Sequence, residues 1–235
     1  MYSDVFCKVY NELGWNYYPE IFGEQLLEWL RRNGARPETA LDLGCGTGVL
    51  CEILHGAGIR ASGMDYSQGM IRIAQSRNPH ISYEVADMVT YRPDRRFDLV
   101  TCTGDALNHI GELEDVKRIF RNVYEYTNPG GWFIFDILNE QEVSSGEPFE
   151  MDFRDRVRVW FQMTRPGPRQ VNLKIRVYED GALAFEENIR ETVHDPAAVC
   201  GLLEQCGFRV LGCRDRLLDD ANRGTTWFVI ARKDP

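Results

Sequence analysis

Strand-like and helix-like segments alternate regularly from Thr39 to Leu138. Five short apolar runs have strand character, and segments with apolar residues at helical spacing separate most of them. This alternation favours a parallel sheet with right-handed crossovers, because each helix must pack back onto the sheet. The sequence therefore predicts a doubly wound α/β domain, preceded by an N-terminal helix over Glu20 to Asn33. With 235 residues, 43% of them hydrophobic, the chain can fill the core of such a domain.

The pattern changes after Leu138, where apolar and polar residues alternate with period two and "PGP" and "DG" turns join the segments. We interpret residues 146–193 as an antiparallel β meander inserted into the α/β domain. A last helix follows with Asp195 at its N-cap and Pro196 at its first position. Two C-terminal strands, "RVLGCRD" and "TTWFVIARK", could form a hairpin at the edge of the sheet.

Composition narrows the class of protein. The formal charge of −9 and the pI near 5.0 disfavour non-specific binding to nucleic acid. Seven cysteines include no C-x-x-C pair, so the sequence predicts reduced thiols and no metal site. No apolar run approaches the roughly 18 residues that cross a bilayer, and we expect a cytoplasmic protein without a membrane partner.

The loop after the first predicted strand reads D-x-G-x-G-x-G, with Asp42 ahead of Gly44, Gly46 and Gly48. A strand, a glycine-rich turn and a helix place backbone N–H groups around a ligand. Position 49 is Val, which departs from the G-x-G-x-x-G dinucleotide pattern, and no Gly-Lys-Ser/Thr follows as in a phosphate-binding loop. An acid at the strand end suits a ligand that presents a cationic amino group. A purely structural turn is the alternative.

Two further acids follow later strands. Asp65 ends the second strand, about twenty residues after the first glycine, where a carboxylate can accept hydrogen bonds from both ribose hydroxyls. Asp87 follows the third strand, at the same edge of the sheet, where it could accept from an adenine amine. A helix cap or a solvated turn is the alternative role for a lone acid at such a position.

These motifs, together with "FDLV" and "NPGGWFIFDI", resemble the class I S-adenosylmethionine-dependent methyltransferase family over most of the chain. The resemblance implies a seven-stranded Rossmann-like sheet of order 3-2-1-4-5-7-6 with strand 7 antiparallel, and release of S-adenosylhomocysteine as the product. It implies an N-terminal lid and helix (1–35), a cofactor-binding domain (36–145 and 194–235) and an acceptor-side insertion (146–193). The implied cofactor contacts are Tyr10, Asp42, Gly44, Cys45, Gly46, Gly48, Asp65, Tyr66, Asp87, Met88 and Thr103.

The loop after strand four, "TCTGDALNHI", lacks the [N/D]-P-P-[Y/F] signature of methylases that act on adenine or glutamine amides. His109 is the candidate base, because a neutral imidazole titrates near working pH. It is similar to a histidine of small-molecule methyltransferases, including amino-sugar N-methyltransferases. A cap of the next helix or a hydrogen bond within the loop is an equal alternative. Asp105 and Asn108 are weaker candidates for acceptor binding.

Aromatic residues precede the first long helix, at Tyr10, Trp15, Tyr17 and Tyr18. They could form a lid over cofactor and acceptor, or the apolar underside of an N-terminal helix. The resemblance favours Tyr10 and Tyr18 as site residues, with Tyr18 as a catalytic candidate beside His109.

The insertion is basic, with seven basic residues against the single acid Asp155 between residues 154 and 176. Strand geometry predicts that Arg154, Arg156 and Arg158 share one face, opposite Val157 and Val159. That face is either solvated or, through Arg156 and Arg158, binds an anionic acceptor such as a nucleotide-linked sugar.

The sequence therefore predicts a methyltransferase that acts on N or O of a small molecule, as a monomer or a homodimer. The alternatives are an RNA or protein methyltransferase and a non-catalytic module that binds the cofactor.

Overall fold

The computed structural model describes residues 2–141, 146–218 and 226–235. The helices are α1 (Asp4–Val9), α2 (Tyr17–Arg32), α3 (Val49–Gly56), α4 (Gln68–Arg77), α5 (Leu113–Tyr126) and α6 (Pro196–Gln205). The strands of the larger sheet are β1 (Thr39–Leu43), β2 (Arg60–Asp65), β3 (Ser82–Val85), β4 (Phe97–Cys102), β5 (Thr127–Leu138), β10 (Phe208–Arg214) and β11 (Thr226–Lys233). The smaller sheet holds β6 (Phe149–Arg154), β7 (Val157–Gly167), β8 (Gln170–Glu179) and β9 (Ala182–Thr192).

The seven-stranded sheet has the order β10-β11-β5-β4-β1-β2-β3. Strands β1 to β5 pair in parallel, whereas β11 runs antiparallel to both β5 and β10. Numbered within this sheet alone, the order is 6-7-5-4-1-2-3 with strand 7 antiparallel, which confirms the predicted topology. The carboxyl ends of the parallel strands therefore meet at one edge, where the connecting loops can build a binding site.

Neighbouring residues of the central strands alternate between two apolar clusters. Leu41 and Val100 belong to the cluster that packs with α5 and α6, while Ala40 and Leu99 belong to the cluster that packs with α2, α3 and α4. Because successive side chains of a strand point to opposite faces, the two clusters cover the two faces of the sheet. Within the described residues, no helix is long and apolar enough to span a membrane.

The structure confirms the predicted cap at Asp195 and shows a second one at Ser67. Ser67 accepts a hydrogen bond from the backbone N–H of Met70 at the start of α4, and Asp195 accepts from Ala197 and Ala198 at the start of α6. Each cap satisfies backbone donors that the first helical turn leaves unpaired.

The prediction that Arg154, Arg156 and Arg158 share one strand face is wrong. Strand β6 ends at Arg154 and β7 begins at Val157, so a hairpin turn separates them, and Arg156 has a positive φ of 67°. The side chain of Arg154 lies outside the described part of the structure. The expected inward positions hold for Val157 and Val159, which are buried.

The four-stranded sheet spans residues 149–192 and packs its apolar face against the N-terminal segment. Phe6 of α1 is fully buried in this contact, with its ring centroid 5.3 Å from Trp15 and 6.4 Å from Phe185 of β9. Helix α1 is thus held between the two sheets, because it also contacts α4.

Candidate functional site

A cavity of about 650 Å³ lies at the carboxyl ends of the parallel strands. Six parts of the chain line it: the glycine-rich loop after β1, the segments at the ends of β2 and β3, the loop after β4, the N-terminal segment and strand β9. Its volume falls within the roughly 300–1,000 Å³ of small-molecule sites. The cavity is the meeting point of residues that are far apart in the sequence.

The glycine-rich loop enters the cavity with an unusual backbone. Gly44, Gly46 and Gly48 have φ values of 71°, 51° and 82°, a region that residues with a side chain rarely adopt. A Cβ on Gly48 would lie 2.5 Å from the hydroxyl of Tyr83, whereas a Cβ on Gly46 would meet open space. Gly48 therefore serves packing, and Gly46 leaves the floor of the cavity bare.

Asp42 lies under this loop and is 4% exposed. Its Oδ1 accepts a hydrogen bond of 2.7 Å from the hydroxyl of Thr101. Burial raises the pKa of Asp42 to about 7, and the negative charges of Asp65 and Asp136 add to the effect. A cation bound in the cavity would reverse this shift, because it would stabilise the carboxylate form.

Asp65, the last residue of β2, also lines the cavity. Its Oδ2 accepts from the N–H of Gly46 at 2.9 Å and its Oδ1 from the N–H of Ser67 at 2.7 Å. Burial raises the pKa of this carboxyl, although the two backbone hydrogen bonds oppose the shift. Each oxygen keeps a lone pair with which it can accept from a ligand hydroxyl.

The remaining predicted cofactor residues lie around the same cavity. Asp87 follows β3, and its Oδ1 accepts from the N–H of Val89 at 2.9 Å, a turn that keeps the carboxylate at the rim. The structure also brings the following predicted residues to the cavity wall: Tyr10, Cys45, Tyr66, Met88 and Thr103.

The donor and acceptor groups present fit S-adenosylmethionine. A buried carboxylate at Asp42 can pair with an amino group, the bare loop at Gly46 allows close approach, and Asp65 offers acceptors for ribose hydroxyls. The buried carboxyl of Asp42, with its pKa raised to about 7, indicates that a cation fits the site, because a cation would stabilise the carboxylate form.

On the opposite side of the cavity, His109 ends a 3₁₀ turn, Ala106–His109. Its Nε2 lies 3.2 Å from the hydroxyl of Tyr2. The ring faces the cavity, so water reaches it, yet the surrounding protein walls lower its pKa by desolvation. The imidazole is therefore neutral at neutral pH and can accept a proton.

Three carboxyl groups lie close enough to influence one another: Asp105, which lines the cavity, and Asp136 and Glu191. Burial is the main reason that the pKa of each is raised, and the charge of Asp136 raises the pKa of the other two. Among the described residues, Oδ1 of Asp105 is buried without a hydrogen-bond partner. The acceptor side of the cavity is therefore strongly electronegative whenever these groups ionise.

The hydroxyl of Tyr18 donates a hydrogen bond to Oδ2 of Asp136. The same carboxylate accepts from the backbone N–H groups of Gly104 and Asp105, at 3.0 and 3.1 Å. Burial, followed by the charge of Asp136, raises the pKa of Tyr18 well above its usual value. Tyr18 lines the cavity as predicted, but its phenol is committed to a structural contact.

Other predicted acceptor residues lie elsewhere. Asn108 is fully buried, donating 2.7 Å to the carbonyl of Thr192 and accepting 3.1 Å from the N–H of Leu138, so it joins three elements and does not line the cavity. Arg156 and Arg158 are exposed on the β6–β7 hairpin, where they pair with acids of the insertion such as Asp180 and Asp152. Tyr17 is 67% exposed and also lies outside the cavity.

Sequence reasoning missed several residues of the site. Tyr2, Asp136 and the β9 residues Glu187 to Arg190 gave no motif that distinguishes them from ordinary strand or terminal residues. Asp136 carried one signal, an acid within the apolar run "WFIFDIL" of a buried strand. A buried acid in such a run needs hydrogen-bond partners, and those lie far along the chain.

The seven cysteines are free thiols. Within the described ranges, no group of three or more His, Cys, Asp or Glu side chains is arranged to hold a metal ion.

Comparison with known proteins shows that this chain is similar to methyltransferases. Residues 40–131 match the methyltransferase domain family. The dTDP-4-amino-2,3,4,6-tetradeoxy-D-glucose N,N-dimethyltransferase of Saccharopolyspora spinosa is 23% identical over 55% of this chain and 51% of that protein. A solved S-adenosylmethionine-dependent methyltransferase from Clostridium acetobutylicum ATCC 824 has a TM-score of 0.80 at 24% identity, over 91% of both chains.

CalS10, an amino pentose methyltransferase of Micromonospora echinaspora solved with S-adenosylmethionine bound, has a TM-score of 0.78 at 19% identity. That match covers 99% of this chain and 98% of CalS10. Together these findings confirm the predicted resemblance to methyltransferases and the fold.

Proposed function

We propose that this S-adenosylmethionine-dependent methyltransferase transfers a methyl group to an amine nitrogen of a small molecule. When bound, S-adenosylmethionine supplies an electrophilic methyl group and leaves as S-adenosylhomocysteine. The observation that carries the proposal is that the neutral imidazole of His109 and the buried Asp105 line the same cavity as Asp42 and Asp65.

His109 acts as the base. Its lowered pKa keeps the ring unprotonated at neutral pH. The amine gains a positive charge as its lone pair forms the new N–C bond, and His109 accepts the proton that restores a neutral amine. Alignment of the nitrogen with the methyl group supplies much of the remaining rate enhancement.

The carboxyl groups favour nitrogen over oxygen as the methylated atom. When Asp105, Asp136 and Glu191 ionise, their negative potential stabilises a methylated nitrogen while it is still charged. An acceptor that arrives as an ammonium ion first loses a proton, which frees the lone pair that attacks the methyl group. A neutral hydroxyl would gain less from this surrounding. The relative from S. spinosa, which is named for N,N-dimethylation of an amino sugar, supports the same choice.

We assign the contact with an anionic part of the acceptor to Arg190 in place of Arg156 and Arg158. The guanidinium of Arg190 is exposed and lines the cavity, whereas the other two lie on a distant hairpin. Tyr18 receives a positioning role, because its hydroxyl binds Asp136.

Release of S-adenosylhomocysteine tests the proposal. The amine probe is dTDP-4-amino-2,3,4,6-tetradeoxy-D-glucose, and its 4-hydroxy counterpart is the matched control. We expect release with the amine alone, and we expect His109→Gln to lower kcat by about 100-fold or more while the cofactor still binds. Release with the hydroxyl compound alone would point to O-methylation. Cofactor binding without turnover of either compound would favour a non-catalytic module.

Methylation of RNA or protein is the alternative enzymatic function. The same assay tests it when total RNA and a peptide mixture are supplied as substrates. The cytoplasmic location and the monomeric or homodimeric state stay predictions, which cell fractionation and light scattering can check.

A further inference from the structure

Tyr2 occupies the cavity face of His109. Its hydroxyl lies 3.2 Å from Nε2, and the two ring centroids are 5.9 Å apart in an edge-on arrangement. The tyrosine ring is itself supported by Phe6 at 5.2 Å and Tyr10 at 6.1 Å. The contact joins residues that are 107 positions apart, so the fold alone creates it.

The Tyr2 hydroxyl lies within hydrogen-bond distance of Nε2 of His109. In the tautomer that carries its proton on Nδ1, Nε2 is the basic nitrogen and accepts from the phenol. A ring nitrogen has one lone pair, so it can fully accept from one donor at a time.

We propose that Tyr2 is a positioning residue whose hydroxyl covers the basic nitrogen of His109. The hydroxyl must move away before the acceptor can donate a hydrogen bond to that nitrogen. The inference rests on the proposed role of His109 as the base. Because the acceptor amine must donate to the same lone pair, the Tyr2 hydroxyl marks the place that the amine nitrogen takes. The contact therefore sets the KM of the acceptor more than the rate of methyl transfer.

The surroundings of Tyr2 suit a group that leaves without unfolding the segment. Ser3 is anchored to β9, since its hydroxyl and backbone N–H donate to Oε2 of Glu187 at 2.6 and 3.1 Å. Ser3 also caps α1 by accepting from Phe6. Rotation of Tyr2 beside this fixed point can uncover His109 while the helix stays in place.

The phenol of Tyr2 remains protonated throughout the physiological range. Burial raises its pKa well above the usual value, and the nearby groups Tyr10, Glu191, Asp65 and Asp105 add to the shift. Tyr2 therefore competes as a hydrogen-bond donor, as an amine N–H does, and it does not act as a base.

Carbethoxylation of histidine by diethyl pyrocarbonate tests the contact without any acceptor, because the reagent attacks the unprotonated ring nitrogen. Peptide mass spectrometry gives the ratio of modification at His109 to that at His80, which is exposed and serves as an internal reference. We expect Tyr2→Phe to raise this ratio several-fold. Tyr17→Phe, a matched change at an exposed tyrosine of the same segment, should leave the ratio unchanged.

Tyr2→Ala separates the hydrogen bond from coverage by the ring. A ratio that rises in Tyr2→Ala but not in Tyr2→Phe would overturn the proposed hydrogen bond, and equal ratios in all variants would overturn the contact itself. Circular dichroism checks that every variant is folded.

Kinetics with dTDP-4-amino-2,3,4,6-tetradeoxy-D-glucose tests the competition. We expect Tyr2→Phe to lower the KM for the amine several-fold and to hold kcat within about twofold. A large fall in kcat would instead make Tyr2 a proton relay and would contradict displacement. Absence of turnover in the wild-type enzyme would defeat the proposed function, while the carbethoxylation result would still stand.

Discussion

Two aspartates at opposite ends of the parallel strands show how surroundings decide the chemistry of a residue. Asp98, at the amino ends, accepts from the N–H groups of Glu38 and Thr39 and from Asn128. Burial alone would raise its pKa, but these hydrogen bonds outweigh burial and the pKa lies below its usual value. Asp42 has the single donor Thr101, and its pKa rises to about 7. Hydrogen bonds within the protein stabilise the charged form of Asp98, whereas the charged form of Asp42 would need a bound cation.

Replacement of Asp42 by Asn should separate stability from binding. We expect about 10-fold to 100-fold weaker S-adenosylmethionine binding, which corresponds to one lost charge-assisted hydrogen bond. The melting temperature should stay the same or rise, because the variant buries no charge. Isothermal titration and thermal unfolding measure the two effects. Asp98→Asn is the matched control: it should lower stability and leave affinity intact.

The affinity for S-adenosylmethionine should depend on pH through Asp42. The carboxyl must ionise to pair with the amino group, so binding weakens as the pH falls through about 7. The stability of the ligand-free protein changes with pH in the opposite direction. Because the folded pKa exceeds the ordinary value of 3.8, stability falls as the pH rises from about 3.8 to about 7. Titrations between pH 6 and 8 should show the trend in the wild type and a weaker one in Asp42→Asn.

Two glycines of the loop after β1, Gly46 and Gly48, have different roles. Gly48 must be small because Tyr83 lies against it, whereas Gly46 faces the open cavity. Both also have positive φ values, which cost an alanine of the order of 1 kcal/mol. The loop is therefore a structural turn at one end and a binding surface at the other.

Alanine at each position should show this division. Gly48→Ala should lower the free energy of unfolding by about 2 kcal/mol or more, since strain and a clash with Tyr83 add together. Gly46→Ala should cost only about 1 kcal/mol of stability and should weaken S-adenosylmethionine binding several-fold. Denaturant unfolding and calorimetry test both; similar losses of stability in the two variants would contradict the assignment.

At the scale of the whole molecule, the cofactor should bind the folded state across several elements at once. S-adenosylmethionine at about 100 times its Kd should stabilise the protein by about 2.7 kcal/mol. For a chain of this size, that corresponds to a rise of roughly 5–10 °C in melting temperature. NAD is the matched control and should cause no shift. A larger shift with NAD would overturn the reading of the glycine-rich loop.

The local pattern of the sequence predicted the parallel sheet and the edge that carries the glycine-rich loop, and the family resemblance supplied the strand order. Alternating elements, Asp42 with its glycines and Asp65 at a strand end are features of short segments, so chain direction and strand order place them at one edge. The same reasoning failed for Arg156, because a hairpin interrupts the assumed strand and turns the side chain away from the cavity.

Only the tertiary structure decided the acceptor side. The contact of Tyr2 with His109 and that of Tyr18 with Asp136 span 107 and 118 positions, and strand β9 reaches the cavity from the inserted sheet. No local period records such pairs, because their geometry depends on how the N-terminal segment and the insertion pack over the sheet. The residues around Asp42 and Asp65 could therefore be predicted from short motifs. The surroundings of His109 depend on long-range packing, which the sequence pattern does not show.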